Sequence, residues 1–407
     1  MKILISAYTC SPYHGSEFAV GWNFVHRLAQ DHELVVISEK EKCEADITRY
    51  FTEHPEERNI RFYFIEKMRH KRLRKIWPPS YYWFYQTWQK KAYVLAQELC
   101  EKETFDLIHQ LTMIGYREPG YLWQLGLPFV WGPLAGTNLV PWHMLASMSL
   151  KGCLYYTGRN ILNLWQLHTS SRVKKAMRHA DCLIAATSNT QKDVRKYWHK
   201  NSVLMPEVGL EQDETELVTN RRQAGEKLKI CFSGTFAPRK SLNLLLEAMA
   251  VCEAQQNTEL HITGDGECRK KWMSLGRRLH LENIVWHGWL AREESIGVMQ
   301  QCHLFVLPSL SEATSTVLLE ALSNGLPVTA LDHCGFSNVI TAACGFKIPI
   351  HGHRQVVKDL SAIIDRIESD EDFRYRLAQG ACARAKELSW SKKIVELNEI
   401  YRKICRR

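Results

Sequence analysis

The feature that constrains this chain most is a repeated switch between short apolar runs and longer helical stretches. KILISAY, ELVVISEK, RFYFIEK, FDLIHQLT and PFVWGPL alternate with segments of helical spacing, and ADCLIAATS follows near residue 180. After a polar stretch the pattern resumes with LKICFSGTF, ELHITGDG, IVWHGWL, HLFVLPSL and PVTALD. Short β-rich runs separated by helices build βαβ units, and such units build a parallel sheet covered on both faces. The polar stretch EQDETELVTNRRQAGEK has no apolar period and reads as a linker. The expected fold class is therefore α/β, with two Rossmann-like doubly wound domains facing a cleft. The first would span 1–210, the linker 211–227 and the second 228–389. Ligands of such sheets bind outside the carboxyl ends of the strands. The informative residues should therefore follow strands.

Composition agrees with folded domains. With 407 residues, 45% hydrophobic and 24% charged, the chain is neither disordered nor a small disulfide-stapled scaffold. No apolar run reaches the ~20 residues that span a bilayer. The start, MKILISAYTCSPYHG, reads as a strand and a loop rather than an export signal. The 13 cysteines include no CxxC pair, and Cys302-His303 and His333-Cys334 lack zinc-ligand spacing. Reduced thiols, no metal and a cytoplasmic location are expected.

Charge is uneven. Residues 1–205 carry 27 Lys and Arg against 18 Asp and Glu, which is the whole formal excess of +9. From Lys67 to Lys91 there are eight basic residues, no acidic one, and the aromatics Trp77, Tyr81, Tyr82, Trp83, Phe84, Tyr85 and Trp88. Cations beside Trp and Tyr suit an anionic membrane surface, so peripheral attachment through 67–91 is one reading. A solvated basic face above buried aromatics is the other. Stacking on single-stranded nucleic acid is disfavoured.

The densest chemical signal is SLSEATSTVLLEALSNGLPVTALD, residues 309–332. Glu312 follows a strand, and Glu320 lies eight residues on, inside the next helix. Thr314, Ser315 and Thr316 stand where helix caps belong. A helix start offers free N–H groups and a positive dipole end to a diphosphate. Carboxylates at these two places accept hydrogen bonds from paired hydroxyls. The helix ends at Asn324-Gly325, with Pro327 before the next strand.

This block resembles the E-x7-E region of retaining GT-B glycosyltransferases of the family 4 type, the glycosyl transferases group 1. The resemblance implies a nucleotide diphosphate sugar donor as co-substrate, no separate cofactor and no metal ion. It implies that Glu320 binds the donor ribose and that Glu312 holds sugar hydroxyls. The amides of Ala313, Thr314 and Ser315 would lie near the donor sugar and phosphates. SGTFAPRKSLNLLLEA (233–248) is similar to the family's G-R-L-x-x-x-K-G stretch. There Lys240 matches the lysine on the diphosphate, Thr235 departs from the usual arginine, and Arg239 offers a second cation. In FDLIHQLT, His109 matches a cleft histidine at a strand end. In PYHGSEFAVGWNF, Gly15 and Ser16 match the loop near the donor phosphate, and Glu17 would face the acceptor. Gly264-Asp265-Gly266 and His287-Gly288-Trp289 match turns bordering the base, with Gly266 a donor contact. The segment from Trp390 to Arg407 resembles a helix that crosses back onto the first domain.

The resemblance further implies transfer of a sugar to an acceptor hydroxyl with retention, the departing phosphate taking the acceptor's proton. With the basic window, it points to a saccharide or lipid-linked acceptor in surface polysaccharide synthesis at the inner membrane face. A sugar-nucleotide epimerase and a non-catalytic nucleotide- or nucleic-acid-binding scaffold remain alternatives.

Overall fold

The structure, a computed structural model, describes residues 1–56, 59–67, 80–211 and 221–406. The chain divides into two compact units. The first comprises Met1–Thr137, Gln166–Glu207 and Ser391–Arg407; the second comprises Asn138–Trp165 and Val208–Trp390.

The strands of the first unit are β1 (Lys2–Ala7), β2 (Glu33–Glu39), β3 (Ile60–Ile65), β4 (Leu107–Thr112), β5 (Phe129–Leu134), β6 (Cys182–Ala185) and β7 (Val203–Leu204). They form a parallel sheet in the order β3-β2-β1-β4-β5-β6-β7. The chain's helices up to residue 200 are α1 (Glu17–Leu28), α2 (Lys40–Glu53), α3 (Ser80–Lys102), α4 (Leu150–Thr169), α5 (Ser171–His179) and α6 (Ser188–Trp198). The runs ILIS and LVVI are buried on both faces, as parallel strands under helices require.

The strands of the second unit are β8 (Leu228–Ser233), β9 (Thr258–Thr263), β10 (Ile284–Gly288), β11 (Leu304–Leu307), β12 (Val328–Leu331) and β13 (Gly345–Ile348). Their order is β10-β9-β8-β11-β12-β13, all parallel. This repeats the order of the first six strands of the first unit. The intervening helices are α7 (Leu242–Val251), α8 (Arg269–Arg278), α9 (Arg292–Gln300), α10 (Thr316–Ser323) and α11 (Phe336–Val339). Beyond β13 come α12 (His353–Ser369), α13 (Glu371–Glu387) and α14 (Trp390–Cys405).

Two features differ from the sequence expectation. Residues 138–165, expected within the first domain, pack with the second. Val140, Met144, Leu145, Met148 and Tyr156 join its core beside Phe236 and Leu310. The long helix α4 was also not expected. Its apolar stripe faces outward, so the stripe does not mark the side that meets the core.

Five of the eight basic residues of the window and Trp77 fall on residues 68–79, which lie outside the described residues, as does 212–220 of the linker. Of its described aromatics, Phe84, Tyr85 and Trp88 are buried, whereas Tyr82 and Trp83 are exposed. Tyr85 and Trp88 serve the core of the first unit. Lys67 is paired with the buried carboxylate of Glu39 at 2.7 Å. Among the described residues no helix is long and apolar enough to cross a membrane, and no group of three His, Cys, Asp or Glu is placed to hold a metal ion.

Candidate active site

In the second unit the loops after β8, β9 and β10 lie in direct contact. Gly234 donates to the carbonyl of Thr263 at 3.1 Å, Phe236 to that of Asp265 at 2.8 Å, and Gly264 to that of Gly288 at 2.7 Å. The approach leaves no room for side chains. A Cβ on Gly264 would lie 2.0 Å from the carbonyl oxygen of Gly234, and one on Gly266 would meet the backbone of Phe236 at 2.9 Å. Gly264 has φ +129 and Gly266 has φ +153, conformations that only glycine adopts readily. The result is a floor of backbone groups at the carboxyl end of the sheet.

Beside this floor the chain makes a short 3-10 turn at Pro238–Lys240. The turn brings Arg239 and Lys240 onto one partner, the carboxylate of Glu312 in the loop between β11 and α10. Lys240 Nζ lies 2.7 Å from Glu312 Oε1. Arg239 bonds the same oxygen and also donates to the carbonyl of Ser311 at 2.9 Å. Adjacent residues on such a turn start in different directions, yet both long side chains reach the same carboxylate. A Cβ on Gly234 would stand 3.5 Å from Lys240 Nζ, so the ammonium borders the glycine loop. Burial pulls the Lys240 pKa below its ordinary value, and the Glu312 charge opposes that shift.

Ala313, Thr314 and Ser315 follow Glu312 and lead into α10, with Ser315 at the cap position. Thr314 and Ser315 are buried. The loop is held from behind by Gly335, whose N–H bonds the carbonyl of Ala313 at 3.0 Å. A Cβ on Gly335 would strike that oxygen at 2.3 Å. Cys334 is fully buried nearby, and burial pushes its thiol up to about 12. Glu320 sits on α10, where its carboxylate accepts from Arg292 Nε at 2.7 Å. Arg292 opens α9 and is mostly exposed.

Sequence reasoning missed four supports of this cluster. Asn138 donates to the carbonyl of Glu312 at 3.4 Å, and His333 bonds the carbonyl of Leu139 at 3.0 Å. Arg159 lies 5.9 Å from the centroid of the buried Tyr156 ring, and its charge acts on the buried Cys334 thiol behind the loop. Arg292 is the fourth. None belongs to a local motif, because each reaches the site from a distant part of the chain. A clue existed in the NLVPWHML stretch, whose apolar residues at 139, 140, 144 and 145 need a core.

In the first unit, Gly15 and Ser16 precede α1 in an exposed loop. Ser16 has φ 58, a left-handed conformation uncommon outside glycine. The Glu17 carboxylate accepts the backbone N–H of Ile114 at 2.6 Å. Burial raises its pKa, and that hydrogen bond offsets part of the rise. His109 requires a correction. The strand runs on to Thr112, so His109 does not end it. Its side chain is completely buried, with Nδ1 2.5 Å from the hydroxyl of Tyr401 and Nε2 2.7 Å from the carbonyl of Gly132. Burial pushes its pKa down to about 4. Both ring nitrogens are engaged within the protein, so His109 holds α14 against the sheet and presents nothing to a substrate.

Two parallel α/β sheets of like strand order, with charged loops after the strands of the second, define the GT-B fold class. Residues 213–384 match the model of the family described as glycosyl transferases group 1. A D-inositol 3-phosphate glycosyltransferase of Corynebacterium aurimucosum is 22% identical over 242 residues, covering 55% of this chain and 57% of that protein. The lipopolysaccharide glucosyltransferase WaaG of Escherichia coli is 33% identical over 110 residues, covering 26% and 29%. The chain spans about half the length, or less, of the curated relatives it matches. Among solved structures, HepE of Anabaena in complex with UDP superposes with a TM-score of 0.61 at 17% identity, covering 99% of this chain and 100% of that one.

Proposed function

We propose that the chain is a retaining glycosyltransferase that moves a sugar from a nucleoside diphosphate donor to an acceptor hydroxyl, without a metal ion. The observation that carries this reading is the convergence of Lys240 and Arg239 at the ends of β8 and β11, beside a glycine floor. A departing diphosphate gains negative charge in the transition state, and fixed cations in a partly dry site stabilise it. The amides of Ala313, Thr314 and Ser315, at the start of α10, add donors on the same side.

Glu312 and Glu320 divide the donor between them. Once the diphosphate takes over the two cations, Glu312 is released to accept from sugar hydroxyls. Glu320 accepts from the ribose, with Arg292 holding its carboxylate in place. Gly15 and Ser16 leave the backbone open to the donor phosphate, and Gly266 borders the base. Glu17 is the acceptor-side contact. No side-chain base is assigned: the leaving phosphate takes the acceptor's proton, so catalysis rests on positioning and charge. The lipopolysaccharide glucosyltransferase among the relatives favours a lipid-linked or membrane-proximal saccharide as acceptor, in surface polysaccharide assembly. On this reading the work is done at the inner face of the cytoplasmic membrane.

A thermal-shift panel of UDP, GDP, ADP, CDP and dTDP, repeated in Glu320→Ala, tests the donor site. Ligand at roughly 100 times its dissociation constant adds about 2.7 kcal/mol of stability. UDP, the nucleotide bound by HepE, is the first expectation. A shift with one nucleotide that the variant loses supports the reading. No shift with any nucleotide sinks it and leaves the scaffold alternative.

A further inference from the structure

The second unit holds a cleft that the donor cluster does not use. Helix α7 packs against α8 and α12, and the 3-10 turn Trp142–Ser147 packs on α12. Between these elements lies a cleft of about 440 Å3, within the range of small-ligand sites. Every lining residue falls in Asn138–Trp165 or Val208–Trp390, so the cleft belongs to one unit. It shares no residue with the cluster of Lys240, Arg239 and Glu312.

Leu275 and Met148 give the cleft an apolar lining, and its polar groups are few. Asn243 is the most informative. It is only 9% exposed and lines the cleft, yet its side-chain amide has no hydrogen-bond partner among the described residues. A buried amide without a partner is costly, and such groups as a rule meet a ligand or a water. Lys271 and Arg278 line the cleft from α8, seven residues apart on one face with Leu275 between them. Neither has an ion-pair partner among the described residues. The one carboxylate on the lining, Glu247, is already held by His353 Nε2 at 2.5 Å. His143 Nε2 lies 3.1 Å from the carbonyl of Ile350. A carbonyl only accepts, so Nε2 carries the proton and Nδ1 is left as an acceptor. His353 also opens α12, a helix of 17 residues whose cap position, Gly352, supplies no side-chain cap. The positive end of that helix therefore adjoins the cleft.

Two unpaired cations, an uncapped helix start and a neutralised carboxylate favour an anion. A phosphate monoester offers them three terminal oxygens. The unpartnered amide and the His143 lone pair favour hydroxyls beside it. We propose that this cleft binds a small hydroxylated phosphate monoester, with its phosphate on Lys271 and Arg278 and its hydroxyls on Asn243 and His143. The site is independent of the glycosyltransferase reading.

Isothermal titration calorimetry on the whole chain tests it, with glycerol 3-phosphate, inorganic phosphate and glycerol as separate probes. Glycerol 3-phosphate should bind, inorganic phosphate about fivefold more weakly for want of the hydroxyl contacts, and glycerol not detectably. The double variant Lys271→Ala, Arg278→Ala changes two exposed residues to the best helix former, so its thermal unfolding without ligand should match the wild type. Its affinity for glycerol 3-phosphate should fall about tenfold or more. Asn243→Asp keeps the shape, sits in the first turn of α7 where a carboxylate is tolerated, and should weaken the same ligand by charge. Lys240→Ala should bind it as the wild type does. A wild type that binds no probe, or a double variant that binds like the wild type, overturns the proposal. So does binding lost in Lys240→Ala but kept in the double variant, since the phosphate would then lie in the donor cluster. Equal affinity for inorganic phosphate overturns the monoester. If no nucleotide shifts the protein while glycerol 3-phosphate still binds, the proposed function fails and this site stands.

Discussion

The two units join the loops after their first and fourth topological strands in different ways. In the first, the loop after β1 reaches the segment after β4 through one carboxylate, Glu17, on the N–H of Ile114. In the second, the loop after β8 reaches the loop after β11 through the ion cluster of Lys240, Arg239 and Glu312. The strand order is shared, so topology did not decide this. The first unit hides its titratable groups: Glu17 is driven toward its neutral form by burial, and His109 is held neutral inside the sheet. The second gathers opposite charges at its strand ends. A nucleoside diphosphate needs cations, whereas an acceptor hydroxyl needs only placement. On the proposed function, one repeated scaffold serves donor and acceptor through its loops alone.

The comparison predicts its own breaking points. The largest effect is expected at the ion cluster. Lys240→Ala should lower kcat by about 100- to 1,000-fold, the usual loss when one transition-state charge partner is removed. Its unfolding free energy should change less, because Arg239 still neutralises Glu312. Steady-state kinetics and denaturant unfolding on the same variant check this, and near-wild-type turnover would dissolve the contrast between the units.

The next largest concerns His109 and acid. Unfolded, a histidine takes up its proton near pH 6.5, whereas His109 in the folded unit does so only near 4. Between those values the unfolded chain binds more protons, so stability falls as pH drops through that window and is unaffected above it. The expected loss is about 3 kcal/mol once the pH is below 4. His303 in the second unit, also pushed down to about 4 by burial, should respond in the same direction. His109→Gln should flatten the acid slope without lowering kcat/KM at neutral pH beyond what stability explains. A specific loss of kcat would return His109 to the reacting site.

The smallest expected effect contrasts two glycines. Gly264→Ala should destabilise the second unit by about 1–3 kcal/mol, since its Cβ meets backbone at a positive φ. In the first unit a Cβ on Gly15 has nothing within 4 Å, so Gly15→Ala should leave folding unchanged. Urea titration of both variants sharpens the difference between a packed donor floor and an open loop.

Much of this organisation was legible in the residues. The alternation of runs such as KILISAY and LKICFSGTF gave the parallel sheets, because doubly covered strands must be apolar throughout. Glu312, Glu320 and Lys240 were singled out by the family resemblance, since a pair of glutamates and a lysine in loops and helix starts are common on their own. What escaped was through-space. Residues 138–165 look like more of the first domain, and only their burial in the core of the second unit assigns them to it. Arg292, Asn138 and His333 reach the cluster from separate loops. His109 misled because the strand extends three residues beyond it, and its hydrogen-bond partner Tyr401 lies 292 positions away.

That last distance has a consequence for the order in which the molecule can be finished. The first unit includes Ser391–Arg407, so its helical cover stays incomplete while the second unit, Val208–Trp390, is being synthesised. Tyr401 must arrive before His109 gains its partner, and Asn398 before His32 does, a separation of 366 positions. The half translated first is thus the half completed last. Its buried histidines wait through the making of a whole second domain.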